Sequence, residues 1–139
     1  MILLDTCVVS EPLKPRPSGR VLAWLDDQAA ESLYLSTVSL AELLAGVAAL
    51  PAGRRRSTLS TGLSSLLGKL FAGRVLSFDE AAAEQFPRIV TAARKRGNTL
   101  SFADAQIAAI AAARKFEVCT RDTAPFLAAG LPVIDPWQG

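Results

Sequence analysis

The chain opens with Met1-Ile2-Leu3-Leu4-Asp5-Thr6-Cys7-Val8-Val9, an apolar run that stops at a carboxylate. Consecutive apolar residues bounded by polar ones are typical of a central strand in a parallel sheet, where helices cover both faces. In such sheets ligands collect at the carboxyl ends of the strands. The stretch therefore predicts a parallel sheet with Asp5 at its ligand-binding edge, although the same residue would also suit a plain helix cap.

The rest of the chain alternates between strand and helix patterns, without an internal repeat or a linker. Further strands are predicted at residues 33–36, 74–78, 117–120 and 132–134. Helices are predicted at 20–27, 38–50, 54–71, from a cap at Ser77 or Asp79 to 96, at 101–115 and at 123–129. This alternation predicts a single domain over residues 1–139, an α/β fold built as a three-layer α/β/α sandwich around a mostly parallel sheet of four to five strands.

The most informative feature of the composition is that none of the 139 residues is histidine. This excludes Ser-His-Asp and Cys-His hydrolysis, histidine-based RNA cleavage and most catalytic zinc sites. An enzyme with this sequence must use carboxylates, hydroxyls, Lys or Arg. The net charge of +2 is small, so any nucleic-acid footprint must be local, and the two basic clusters at 54–56 and 94–96 are the candidates for it.

The chain is apolar, with 50% hydrophobic residues and a mean hydropathy of +0.30. No apolar run approaches the roughly 20 residues that a membrane-spanning helix needs, and no secretory signal is recognisable. Only two cysteines are present, Cys7 and Cys119, as is usual in a reduced compartment. We therefore expect a cytoplasmic protein, without a membrane contact or a structural disulfide, that covers part of its apolar surface with a partner.

Acidic residues fall at strand ends or helix starts in four places: Asp5, Glu42, Asp104 and Asp122. Two of them also complete the spacing of a helix capping box, as Ser39–Glu42 and Ser101–Asp104, which is an ordinary structural role. Asp104 shares a helical stripe with Ile107, Ala108 and Ala111, which predicts that this carboxylate faces the interior. A carboxylate in that position needs a partner or a cation.

If the four acids converge at one edge of the sheet, their mutual repulsion raises some of their pKa values unless a cation neutralises them. An all-oxygen cluster without His or Cys ligands suits Mg²⁺ or Mn²⁺. Such an ion can activate water and stabilise the charge of a phosphodiester transition state. The spacing by itself is consistent with metal-dependent phosphate-ester hydrolysis and also with four separate caps and surface acids.

Four ordered segments resemble the motifs of PIN-domain nucleases: Leu4-Asp5-Thr6, Ser39-Leu40-Ala41-Glu42-Leu43, Ser101-Phe102-Ala103-Asp104-Ala105-Gln106-Ile107-Ala108 and Thr120-Arg121-Asp122-Thr123. Length, element order, Ser10-Glu11-Pro12-Leu13 and Asp135-Pro136-Trp137 further resemble the FitB-like branch of the VapC toxins. The resemblance implies a Mg²⁺- or Mn²⁺-dependent endoribonuclease, the toxin of a type II toxin–antitoxin system. It also implies an RNA substrate, a homodimer, and a cognate antitoxin with a DNA-binding domain.

Position within these motifs implies a role for each acid. The resemblance makes four residues catalytic: Asp5, Glu42, Asp104 and Asp122. It makes three of them metal ligands, namely Asp5, Asp104 and Asp122, the last directly or through water. Glu42 is expected to hold a ligand water or to orient the attacking one, and Thr6 and Thr120 are candidates for hydrogen bonds to the ligands.

The chain departs from the family pattern at Cys7, where these toxins usually carry Asn. A thiol is a much weaker hydrogen-bonding group than an amide. One alternative is therefore a catalytically weakened PIN domain that binds RNA or its antitoxin without cleaving. Another, a receiver-like phosphoacceptor domain, would need a lysine after a late strand, but Thr120 is followed here by Arg121 and Asp122.

Overall fold

The computed structural model describes residues 1–138, which form five strands and seven helices joined in part by two 3-10 turns. The strands are β1 (Ile2–Leu4), β2 (Leu33–Ser36), β3 (Val75–Leu76), β4 (Glu117–Cys119) and β5 (Val133–Ile134). The helices are α1 (Thr6–Ser10), α2 (Gly19–Asp27), α3 (Thr37–Ala48), α4 (Arg54–Phe71), α5 (Glu80–Lys95), α6 (Phe102–Arg114) and α7 (Thr123–Ala128). The 3-10 turns span Glu11–Leu13 and Ala30–Ser32.

All five strands belong to one sheet, ordered β3-β2-β1-β4-β5, and every neighbouring pair is parallel. β1 lies at the centre, where Leu3 pairs with Tyr34 of β2 on one side and with Val118 of β4 on the other. Leu3 and Leu4 are fully buried, which confirms the predicted central strand. The strand order reverses between β1 and β4, which is the position where parallel sheets of this kind bind ligands.

Helices cover both faces of the sheet, which confirms the predicted three-layer sandwich. Leu3 belongs to an apolar cluster that includes Ile107 of α6 and Phe126 of α7. The next residue, Leu4, belongs to the opposite cluster, which includes Phe71 of α4. Successive strand residues point to opposite faces, so the residues of β1 contribute alternately to the two cores. Each buried side chain of this size contributes roughly 1.5–3 kcal/mol through burial.

The structure moves the predicted start of α3 by one residue and confirms Asp79, one of the two predicted caps, as the cap of α5. Ser36 caps α3, accepting a hydrogen bond of 2.9 Å from the Ser39 N–H, so Ser39 lies buried inside the helix and does not begin it. Asp79 caps α5 by accepting from the Ala82 N–H at 2.9 Å, which leaves Ser77 outside the helix. The Ser39–Glu42 spacing is therefore not a capping box, and Glu42 is free of that structural role.

The leucine stripe predicted for α3 is only partly core. Leu43 is buried, Leu40 and Val47 are half-buried, and Leu44 is 53% exposed. α3 contacts α4, the other helix of the predicted pair. Within residues 1–138, no helix combines the length and the apolar character needed to cross a membrane.

The glycines offer a matched test of the backbone geometry. Gly97 follows α5 with φ of +77°, in the left-handed region, whereas Gly68 lies inside α4 with no atom near the position of an added Cβ. We expect Gly97→Ala to lower the free energy of unfolding by about 1–2 kcal/mol, because alanine is strained there. Gly68→Ala should raise it by about 0.5–1 kcal/mol. Urea denaturation followed by circular dichroism measures both, and changes of the same sign would contradict these assignments.

Candidate functional site

The carboxyl ends of the two central strands hold Asp5 and Thr120. The Asp5 N–H donates to the Cys119 carbonyl at 2.9 Å, which extends the pairing of β1 with β4 by one residue. Thr120 follows β4 directly and is fully buried, while Asp5 is half-buried. Asp5 therefore lies at the reversal point of the sheet, as the first nine residues predicted.

Both oxygens of the Asp5 carboxylate accept hydrogen bonds. Oδ1 accepts from the Thr6 N–H at 2.8 Å, so Asp5 caps α1. Oδ2 accepts from the Thr120 hydroxyl at 2.8 Å, and that hydroxyl oxygen accepts from the Asp122 N–H at 3.2 Å. Asp5 thus caps α1 and also belongs to the candidate site, so its structural role does not exclude a functional one.

Glu42 is tied to the same edge through α1. The Thr6 hydroxyl donates to Glu42 Oε1 at 2.9 Å, across two elements that are far apart in sequence. Glu42 lies in the first half of α3 and is exposed. The two threonines therefore each hold one carboxylate, Thr6 at Glu42 and Thr120 at Asp5, as the sequence had suggested for hydrogen-bonding partners.

Asp104 occupies the first turn of α6. Ser101 caps this helix, and its Oγ accepts from the Asp104 N–H at 3.1 Å, which confirms the predicted cap. Asp104 is only half-buried, whereas Ile107, Ala108 and Ala111 of its stripe are buried. The carboxylate thus lies at the border between the core and the edge of the sheet.

The four acids influence each other electrostatically. Burial raises the pKa of Asp5, and the charges of Asp104 and Glu42 raise it further against the opposing hydrogen bonds from Thr120 and Thr6. Burial likewise raises the pKa of Asp104, with a hydrogen bond to Ser101 opposing it and the charges of Glu42 and Asp122 adding to it. The structure therefore brings all four predicted acids to one edge, where their negative charges destabilise one another.

A divalent cation fits the chemistry of this cluster. The one ion pair found among residues 1–138 joins Lys14 to Glu11 at 3.0 Å, so no basic side chain of that range pairs with the four acids. In the same range, no three acidic or cysteine side chains are positioned to hold an ion together. Mg²⁺ usually keeps several waters and binds through one or two carboxylates, so it does not require three protein ligands, and Asp5, Asp104 and Asp122 stay a prediction as its ligands.

Cys7 lies against the cluster. Its Sγ is 3.9 Å from both Asp5 Oδ2 and Thr120 Oγ1. Burial raises the pKa of the Cys7 thiol, and the Asp5 charge adds to this against a hydrogen bond from the Arg121 backbone. The Cys7 thiol is half-buried and borders the candidate site.

The two basic clusters have different surroundings. Arg54 and Arg55 line a groove of about 740 Å³. It shares Leu13 and Leu59 with a cavity of about 300 Å³ that reaches Glu42. At the end of α5, Arg96 instead donates to the Ala128 carbonyl at 2.8 Å and braces α7. The cluster at 54–56 is therefore connected to the acidic edge, and part of the cluster at 94–96 has a structural role.

Sequence reasoning overlooked one residue at this edge, Phe102. It is the first residue of α6, and its side chain is 70% exposed. A signal was available, because Phe102 lies off the stripe that Asp104 shares with the buried residues of α6. Aromatic side chains dominate the energetics of cores and interfaces, so an aromatic residue outside the buried stripe could have been singled out.

Comparison with known proteins gives consistent results across the chain. Residues 2–130 match the PIN domain family. The chain is 51% identical to the plasmid stability protein StbB of Pseudomonas syringae pv. tomato, 47% to the VapC ribonuclease Y4jK of Sinorhizobium fredii and 46% to the toxin FitB of Neisseria gonorrhoeae. Each similarity extends over 138 residues, 99% of both chains.

A solved structure shares the fold. A chain in the structure of FitAB bound to the IR36 DNA fragment superimposes with a TM-score of 0.93 at 44% identity, over 99% of this chain and 96% of that one. The parallel sheet and its flanking helices are thus common to both proteins.

The threonines provide a matched pair of variants. We expect Thr120→Val to lower the free energy of unfolding by about 1–3 kcal/mol, because Asp5 Oδ2 and the Asp122 N–H both lose a buried partner. It should also raise the pKa of Asp5 further. Thr6→Val removes an exposed hydrogen bond and should change stability by less than about 0.5 kcal/mol. Urea denaturation and a carbon-13 NMR titration of Asp5 measure these effects, and equal losses in both variants would contradict the assignment.

The raised pKa of Asp104 predicts how stability depends on pH and metal. The folded state holds the Asp104 proton more tightly than the unfolded state does. The contribution of Asp104 to stability therefore falls as pH rises from the ordinary pKa of 3.8 through the raised pKa of the folded state. Without metal at pH 7, we expect Asp104→Asn to be at least as stable as the unaltered chain.

At a Mn²⁺ concentration a hundred times the dissociation constant of the site, the ion should stabilise the unaltered chain by about 2.7 kcal/mol. It should stabilise the Asp104→Asn variant by less. Thermal melts of both proteins from pH 4 to 8, with and without Mn²⁺, measure the difference. A metal-induced gain of the same size in both proteins would argue against Asp104 as a ligand.

Proposed function

Because this chain belongs to the PIN-domain family, we propose that it is a metal-dependent endoribonuclease and the toxin of a type II toxin–antitoxin system. The observation that carries the proposal is that Asp5 lies at the reversal point of the sheet, where the charges of Glu42 and Asp104 raise its pKa, while the charges of Glu42 and Asp122 raise the pKa of Asp104. Relatives named as a VapC ribonuclease and as a toxin, each similar over 99% of this chain, support it.

Each acid has a role in the proposed hydrolysis. Asp5 and Asp104 would hold Mg²⁺ or Mn²⁺, with Asp122 completing the set directly or through water. The bound ion would supply positive charge that activates water and stabilises the phosphodiester transition state. Thr120 keeps the Asp5 carboxylate in one orientation, as hydrogen-bonded partners of metal ligands do.

Glu42 is the candidate that acts on water. Its carboxylate is exposed and held at Oε1 by the Thr6 hydroxyl, which leaves Oε2 able to accept a proton or a hydrogen bond from water. A positioned carboxylate of this kind can orient or deprotonate the attacking water. Without a histidine in the sequence, carboxylates are the groups available for this proton transfer.

The proposed partners are RNA, a cognate antitoxin and a second copy of the chain. The FitAB assembly, one chain of which is 44% identical to this one, is bound to DNA, which supports an antitoxin with a DNA-binding domain. The groove lined by Arg54 and Arg55 supports RNA binding near the acidic edge, because Lys and Arg neutralise phosphates. A homodimer would cover part of the apolar surface, and the cytoplasm is the compartment where such a nuclease meets RNA.

Cleavage of a panel of structured RNAs tests the activity. We expect cutting with Mg²⁺ or Mn²⁺ and none with EDTA. Asp5→Asn and Asp104→Asn should reduce the rate by at least about a hundredfold, since loss of a ligand or of its support commonly costs 10–100-fold or more in metal affinity or activity. Asp26→Asn, which alters an exposed acid of α2, is the matched control and should cut normally.

The Cys7 position separates the full enzyme from the weakened one. Cys7→Asn restores the amide that related toxins carry, next to Asp5 Oδ2. If the unaltered chain cuts weakly and Cys7→Asn cuts faster, the thiol limits catalysis. Metal-independent cutting, or cutting that survives both aspartate substitutions, would refute the proposed site.

A further inference from the structure

An exposed aromatic ring lies beside the acidic cluster. Phe102 begins α6, two positions before Asp104, and is 70% exposed. The other large apolar side chains that are exposed within residues 1–138 are each less so: Met1, Leu44, Val75 and Leu127. One helical turn therefore carries both a candidate metal ligand and the most exposed large apolar side chain of this part of the chain.

Two half-buried aromatic residues support the ring. The centroids of Phe102 and Phe86 are 5.5 Å apart with a tilt of 58°, and those of Phe86 and Phe78 are 6.0 Å apart in an edge-to-face arrangement. Phe78 lies just after β3, on the same edge of the sheet as the acids. The three rings border a shallow cavity of about 250 Å³ together with Ala83, so Phe102 is held from one side while most of its surface faces solvent.

The surroundings of Phe102 suit a nucleic-acid base. Proteins that bind single-stranded RNA stack its bases on exposed aromatic side chains, and phenylalanine accepts every base because it offers only a π-face. Since Phe102 and Asp104 are on the same helical turn, a base on the ring would place a neighbouring phosphate near the acids. We propose that Phe102 is a substrate-binding residue that stacks a base of single-stranded RNA next to the phosphate to be cut, an inference that rests on the proposed function.

The size of this surface favours a base over a second copy of the chain. A stable protein interface buries about 800 Å² on each partner. Here one exposed ring packs against two half-buried rings around a small cavity. This surface is small for a protein interface but large enough for a single base.

Binding of a single-stranded RNA tests the inference. The probe is a fluorescein-labelled 12-nucleotide RNA of mixed sequence that contains 2-aminopurine, and the protein is the full chain with Asp5→Asn to prevent cutting. We expect Phe102→Ala to weaken binding at least about fivefold and to relieve the quenching of 2-aminopurine. Phe102→Tyr keeps a stacking surface and should bind like the parent. Leu127→Ala removes another exposed apolar side chain, on α7, and should change nothing.

The possible outcomes separate this inference from the proposed function. Equal affinity and equal quenching in the parent and Phe102→Ala would overturn the inference, even if the unaltered chain cuts the same RNA with Mn²⁺. RNA binding that is weakened in Phe102→Ala, without any cutting by the unaltered chain, would support the inference and contradict the proposed nuclease activity. The absence of both binding and cutting would overturn both.

Light scattering of the same variants tests the alternative that Phe102 contacts a second copy of the chain. The proposed homodimer should persist in Phe102→Ala. A dimer lost in Phe102→Ala, with unchanged RNA affinity, would assign the ring to a contact between two copies and overturn the inference. Because Phe102 is exposed, circular dichroism should show the same folded state in every variant.

Discussion

The hydrogen bond from the Thr120 hydroxyl to Asp5 Oδ2 joins the ends of the two central strands, and the candidate site depends on it. The same hydroxyl oxygen accepts from the Asp122 N–H, and the other oxygen of Asp5 caps α1. One buried threonine thus links β1, β4, α1 and the loop before α7. Because Thr120 is buried, its hydroxyl competes less with water for Asp5 than an exposed hydroxyl would.

Function and stability oppose each other at this edge. Burial and mutual repulsion raise the pKa values of Asp5 and Asp104, so their charged forms destabilise the fold that holds them. The apolar clusters on both faces of the sheet offset this penalty. Natural proteins commonly accept such local destabilisation at functional sites, and the acidic cluster of this chain follows that rule.

The surfaces around the acids suggest how a long substrate would approach. A groove leads from Glu42 past Leu13 and Leu59 toward Arg54 and Arg55. The exposed side chain of Phe102 belongs to the first turn of α6, which also carries Asp104. Basic and aromatic groups flanking a reactive site are the two elements that single-stranded nucleic acids require, the first for phosphates and the second for bases.

The parallel three-layer fold, the central position of β1 and the identity of the four candidate acids could be predicted from the sequence. Burial on both faces requires a continuous apolar run, and the four motifs are visible in their order along the chain. The pairing of each hydroxyl with its carboxylate became visible only in the folded chain. Asp5 and Thr120 are 115 residues apart, and no local pattern encodes a pairing at that distance. The cap at Ser36 and the exposure of Leu44 and Phe102 could not be predicted for a similar reason, since competition among neighbouring polar groups and packing against distant elements settle them.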